Sequence, residues 1–161
     1  MSNKNDKKKN TIIIFVISAV IIGLVVGVII YNENETAKAE KLYQKDEVHS
    51  ASIKALEDPN YQNIILPGEL DKKIEEEVFV YFFSPLCKFC EESKGDIAKA
   101  FVEADVEYYQ LNLLEFDEGY QKYGVRGTPA IFHYKDGIVV DNIYGSQSYR
   151  NYLEWIKSQG K

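Results

Sequence analysis

The chain holds two cysteines, Cys87 and Cys90, with two residues between them. Thiols at that spacing on a first helical turn can close a small reversible disulfide, the N-terminal sulfur attacking and the C-terminal one resolving. That chemistry needs a lowered thiol pKa at Cys87, and a helix start supplies it through unpaired N–H groups and the positive end of the peptide dipole. Lys88 adds a positive charge next door. On the residues alone two other readings stay open, a pair of inert thiols and a zinc site. Zinc needs four ligands in a closed site, and His49 and His133 are distant in sequence. A disulfide-stapled secreted scaffold is excluded, because two cysteines this close restrict the unfolded chain very little.

The pair must be positioned by the elements around it. Residues 78–83, VFVYFF, are apolar throughout and of strand length, the pattern of a strand buried on both faces, so a sheet covered by helices on each side is expected. Residues 87–103 carry Ile97, Ala98, Ala100, Phe101 and Val102 among lysines and glutamates, which suits an amphipathic helix. Residues 106–113 read as the next strand, 118–123 as a short helix and 124–129 as a loop. Residues 130–134 and 138–144 flank Lys135-Asp136-Gly137, a signal for an antiparallel hairpin. Tyr149, Tyr152, Leu153 and Ile156 recur at three- and four-residue spacing, so residues 148–158 close the chain as a helix. Upstream, residues 63–66 read as a short strand, Pro67-Gly68 as a turn and 69–76 as a short charged helix. The predicted order is β-α-β-α-β-α-β-β-α, an α/β sandwich around a mixed sheet. His133 is expected at a surface or strand edge, Trp155 in the packing, and Arg126 either beside a substrate groove or as a solvated loop charge.

The 161 residues suffice for one core with an appendage. The formal charge is −6; residues 1–10 contribute +3 through Lys4, Lys7, Lys8, Lys9 and Asp6, leaving −9 for residues 11–161. An acidic folded part argues against a nucleic-acid partner, since phosphate contacts need clustered lysine and arginine. Residues 11–30, TIIIFVISAVIIGLVVGVII, contain no charge and reach roughly 30 Å as a helix, enough to cross a lipid bilayer. Lysines precede this run and Asn32, Glu33, Asn34 and Glu35 follow it. The bias puts the N-terminus in the cytoplasm and everything after residue 30 outside. Ala37-Lys38-Ala39 has the form of a signal-peptide cleavage site, but the apolar run exceeds a usual signal core, and an uncleaved signal anchor is the preferred reading. The expected organisation is a cytoplasmic basic tail over 1–10, a transmembrane anchor over 11–30, a polar spacer over 31–60, helical between 38 and 56, and a folded domain over 61–161.

Three stretches together resemble the thioredoxin superfamily: VFVYFFSPLCKFC, Leu111-Asn112, and YGVRGTPAIFHYKDG from Tyr123. The resemblance covers residues 63–159 and implies a thioredoxin fold and thiol-disulfide exchange with protein cysteines. It makes Cys87 the nucleophile, Cys90 the resolving thiol and Pro129 the cis-proline against the pair, with Thr128 offering backbone hydrogen bonds to a substrate. No metal or organic cofactor is implied. The partners are protein thiols or disulfides and a redox partner in the membrane or outside it. The chain departs from cytosolic thioredoxins in four places: Leu86 stands where a tryptophan is usual, Lys88-Phe89 replace Gly-Pro, Tyr81 takes the place of the buried aspartate, and Gln110 that of its lysine partner. These departures resemble membrane-tethered relatives of Gram-positive bacteria, including those called bacteriocin transport accessory proteins. With Lys88 and the helix start favouring a thiolate, the expected potential lies between thioredoxin and the strong dithiol oxidases, about −270 to −120 mV. An alternative keeps the fold for peptide binding in transport or assembly, with redox turnover incidental.

Overall fold

Successive side chains of a strand point to opposite faces, so a strand apolar at every position has to be covered on both sides. The computed structural model, which describes residues 3–160, meets that demand. Met1 and Ser2 of the expected basic tail lie outside the described residues. Strand β1 (Val78–Phe83) is buried at all six positions. It pairs in parallel with β2 (Tyr108–Asn112) and antiparallel with β3 (Ala130–Lys135), which pairs antiparallel with β4 (Ile138–Tyr144). The order across the sheet is β2-β1-β3-β4. The β3–β4 hairpin turns through Asp136 and Gly137, both at positive φ (51° and 76°), the geometry that matches the right-handed twist of the strands.

One face of the sheet carries Val78, Val80 and Phe82 into a cluster with Leu70, Leu111 and Phe132. The other carries Phe79, Tyr81 and Phe83 against Cys90, Ile97, Phe101, Tyr152 and Ile156. The helices of the second face are α4 (Lys88–Ala104) and α6 (Tyr149–Ser158). Helix α4 ends where Asp105 takes a left-handed φ of 56°. A short helix, Glu118–Lys122, follows β2 and is α5.

The N-terminal half of the chain differs from expectation in three ways. Helix α1 (Asn3–Tyr43) runs unbroken from the apolar stretch into the folded domain. Its apolar part is exposed, and it is long and apolar enough to cross a membrane. Its last turns bury Ala39 and Tyr43 completely, at 0% and 1% exposure. The helix expected over 38–56 is therefore two pieces: Gln44 takes a φ of 54°, and α2 (Ser50–Ala55) begins afresh with His49 as its cap, the ring Nδ1 accepting the Ala51 N–H at 3.1 Å. Far from hanging loose, these pieces are tied to β2, where the buried Asn112 amide donates to the Tyr43 hydroxyl (3.0 Å) and the Ser52 hydroxyl (2.9 Å).

The strand expected at 63–66 is a single parallel bridge between Ile64 and Gln110. Asn63 at a φ of 53° bends the chain in, and Pro67 opens helix α3 (Pro67–Lys73), leaving no room for a ladder. Pro67-Gly68, expected as a turn, is the first turn of α3. Proline there lacks only an N–H that the helix would not use, and Glu69 accepts the Leu66 N–H at 3.2 Å.

His133 is likewise corrected. It lies 3% exposed on the interior strand β3, its ring stacked on Phe79 at 4.3 Å and 4°. Its two ring nitrogens meet Gln159 and Glu77, each at 3.1 Å, so its polar edge is satisfied inside rather than at the surface.

Candidate functional site

Strand β1 ends at Phe83 on the face covered by α4, and three residues carry the chain to the helix. The Ser84 carbonyl accepts the Cys87 N–H at 3.0 Å and the Ser84 hydroxyl accepts the Leu86 N–H at 3.3 Å, so the turn is held from within. Cys87 then serves as the N-cap of α4, its backbone extended (φ −81°, ψ 113°) and its side chain uncommitted to the cap. Its carbonyl accepts the N–H groups of Cys90 (3.0 Å) and Glu91 (3.1 Å). Both cysteines are free thiols; Cys87 is half-buried and Cys90 fully buried.

The loop before β3 supplies the other wall. The Thr128–Pro129 bond is cis, and the Thr128 carbonyl faces the Cys87 sulfur, accepting its S–H at 3.2 Å. The two stretches singled out in the sequence, with Cys87 and Thr128 forty-one residues apart, are thereby brought together. Leu86 and Phe89 stand beside the thiol with 62% and 55% of their surfaces exposed, an apolar rim around a reactive atom.

The two sulfurs meet different electrostatics. Burial works against a thiolate at Cys87, but hydrogen bonding by the Thr128 side chain, by the Cys90 thiol and by the N–H groups of Cys90 and Phe89 outweighs it, and the pKa falls below that of an ordinary thiol. Burial dominates at Cys90 and pushes its pKa up to about 12. One group is thus poised to attack and the other to stay protonated until needed.

The Lys88 side chain is 82% exposed and its ammonium lies 3.6 Å from Glu92, and the lowering at Cys87 comes from Thr128, the Cys90 thiol and the N–H groups of the helix start. Glu91 accepts from the Tyr61 hydroxyl at 2.8 Å and pairs with Lys94 at 2.6 Å. Arg126 lies over the Tyr144 ring at 5.1 Å. Among the described residues no group of three His, Cys, Asp or Glu side chains is arranged to hold a metal ion.

Sequence reasoning missed two residues of the site. Tyr61 and Tyr152 join Tyr81 in the cluster that buries Cys90, Tyr61 stacking on Phe83 at 4.4 Å. Tyr61 sits in a segment without strand or helix periodicity, and Tyr152 reads as ordinary helix packing. No pattern in the sequence separates them from core.

A family model described as thioredoxin matches residues 52–158. Among curated relatives, a thioredoxin of Rickettsia bellii is 29% identical over 102 residues, covering 55% of this chain and 92% of its own length. Protein disulfide-isomerase A5 of Bos taurus is 28% identical over 117 residues, 63% of this chain but only 22% of that protein. The chain therefore spans about a fifth of the isomerase and nearly all of the bacterial relative. Among solved structures, a thioredoxin variant from Halobacterium salinarum superposes with a TM-score of 0.55 at 21% identity, covering 65% of this chain and 95% of that one, a likeness of fold.

Proposed function

The chain belongs to the thioredoxin family, and from that premise we propose that it is a membrane-tethered thiol-disulfide oxidoreductase working on protein cysteines outside the cytoplasm. The observation that carries the reading is the contrast within one helical turn: a half-exposed Cys87 with lowered pKa, ringed by exposed Leu86 and Phe89, and three residues on a buried, protonated Cys90.

As a reductant the site works in two exchanges. The Cys87 thiolate attacks one sulfur of a substrate disulfide, forming the mixed disulfide and releasing the other substrate sulfur as a thiolate that takes up a proton. Cys90 then loses its proton and attacks the Cys87 sulfur. The Cys87–Cys90 disulfide forms and the second substrate thiolate leaves, two electrons having passed to the substrate. Run backwards, the same steps oxidise a dithiol. Thr128 and Pro129 would shape the substrate groove, Thr128 also favouring the Cys87 thiolate, and Phe89 would contribute apolar contact. Lys88 is assigned at most a distant electrostatic part.

Tethering rests on the exposed apolar stretch of α1, and orientation on the lysines that precede it and the acidic residues that follow. The redox partner is proposed to lie in the membrane or beyond it. The finer kinship with tethered proteins of Gram-positive bacteria, the bacteriocin transport accessory type, rests on Leu86, Lys88-Phe89, Tyr81 and Gln110.

The test is trapping in cells. Cys90→Ala should accumulate mixed disulfides with protein partners, and Cys87→Ala few; equal trapping would overturn the assigned roles. A membrane-impermeant thiol reagent should reach Cys87 in intact cells, and labelling only after lysis would reverse the orientation. A phenotype that survives loss of both cysteines would favour the peptide-binding accessory reading.

A further inference from the structure

Resolution of the mixed disulfide asks for a charge where the fold least favours one. Cys90 is fully buried, and the groups that bear on its ionisation are Cys87, Thr128, the Ser84 backbone and three tyrosines, Tyr61, Tyr81 and Tyr152. Two of those phenols are already committed. The Tyr61 hydroxyl donates to Glu91 at 2.8 Å, and the Tyr152 hydroxyl donates to the Gly145 carbonyl at 2.8 Å while accepting the Gln147 N–H at 3.0 Å. The Tyr81 hydroxyl is different. It is buried, with 1% of the residue exposed, and among the described residues no group meets it with hydrogen-bond geometry.

Leaving a buried hydroxyl unpaired is costly, and a neutral thiol is too poor an acceptor to relieve it. A thiolate is a strong one, and a charge-assisted bond in a low-dielectric interior is worth more than a neutral bond in water. We infer that the Tyr81 hydroxyl donates a hydrogen bond to the Cys90 thiolate as it forms, stabilising the nucleophile of the resolving step. The inference rests on the disulfide-exchange reading. Burial, followed by the influence of Cys90, holds the Tyr81 pKa well above the ordinary 10.0, so the phenol keeps its proton throughout. It stabilises the thiolate without removing the Cys90 proton, which ends on the departing substrate thiolate. The sulfur–sulfur bond forms and the substrate sulfur leaves as in the scheme above.

Ellman's reagent reads the two steps separately in the full-length reduced protein. Cys87 releases one aryl thiolate as it forms the mixed disulfide, and Cys90 releases the second on closing the pair. Tyr81→Phe should slow the second release about tenfold near neutral pH and move its pH profile upward by about one unit, as expected for loss of a hydrogen bond to a charge. Because the substitution removes a hydroxyl that is unpaired in the thiol form, the fold is not put at risk. Tyr61→Phe, whose hydroxyl is engaged elsewhere, should slow the second release less. An unchanged second release in Tyr81→Phe, or an equal effect in Tyr61→Phe, would overturn the inference. A parent chain that gives no second release would instead overturn the disulfide-exchange reading.

Discussion

Cys87 and Cys90 share a helical turn yet are tuned in opposite directions, and that opposition has a direct chemical readout. With the Cys87 pKa lowered and that of Cys90 pushed up to about 12, iodoacetamide should modify Cys87 first in the reduced protein, with a pH midpoint below that of a free thiol. Peptide mass spectrometry would decide the order, and prior modification of Cys90 would contradict it. Thr128→Ala removes a side chain that favours the Cys87 thiolate, so the midpoint should rise; Lys88→Ala should move it less, since that ammonium sits in solvent 3.6 Å from Glu92. The Cys87-Cys90 spacing and the Thr128-Pro129 dipeptide were legible because each is a local pattern. The source of the thiolate's support was not. Sequence adjacency pointed to Lys88, whereas the support comes first from the side chain of Thr128, which the fold brings to the Cys87 sulfur from far along the chain.

At the level of elements, β2, expected over 106–113, is the shorter Tyr108–Asn112, whereas β1 was legible to the residue, because burial on both faces leaves no polar position to blur the ends of VFVYFF. The same holds for the β3–β4 hairpin, whose Asp136-Gly137 turn needs residues that accept positive φ. The errors cluster where tertiary contact rather than periodicity decides. His133 sits in a strand read as peripheral, and only the sheet order makes it interior. Residues 38–56 look polar enough for a spacer, yet Ala39, Tyr43, Ser52 and Ala55 are buried. Asn112 holds this region to β2 through two side-chain bonds and also accepts the Leu114 N–H at 3.0 Å. Asn112→Ala should therefore destabilise the domain by about 2–3 kcal/mol, measured by urea unfolding; a loss well under that would mean water replaces the amide.

For the whole molecule, stability should fall on the alkaline side. Burial raises Cys90 and Tyr108 to about 12, and it raises Tyr61, Tyr123 and Tyr134 as well. Each group is an acid that the fold keeps protonated. The stabilisation is complete below the ordinary 9.0 and 10.0 of an exposed thiol and phenol, and is lost as pH climbs from there toward the folded values, because the unfolded chain then binds fewer protons. Urea midpoints of the reduced protein should decline steadily above pH of about 9, and a flat profile would contradict the burial of these groups. A different consequence follows from the unbroken helix α1. Ala39 is locked in the core nine residues after Ile30, about 14 Å along a helix axis. With residues 11–30 in a bilayer, the domain has no slack. Flexible tethers let a catalytic head sweep a hemisphere at an effective concentration set by their length; in the proposed membrane-anchored state this one would fix the height and bearing of Cys87 above the lipid. Clients would have to arrive at that altitude, as membrane-embedded proteins or chains emerging beside the anchor do. A glycine-serine insertion between Asn34 and Glu35 should therefore widen the set of partners trapped by Cys90→Ala toward freely diffusing proteins, the selection having been made by geometry rather than by affinity.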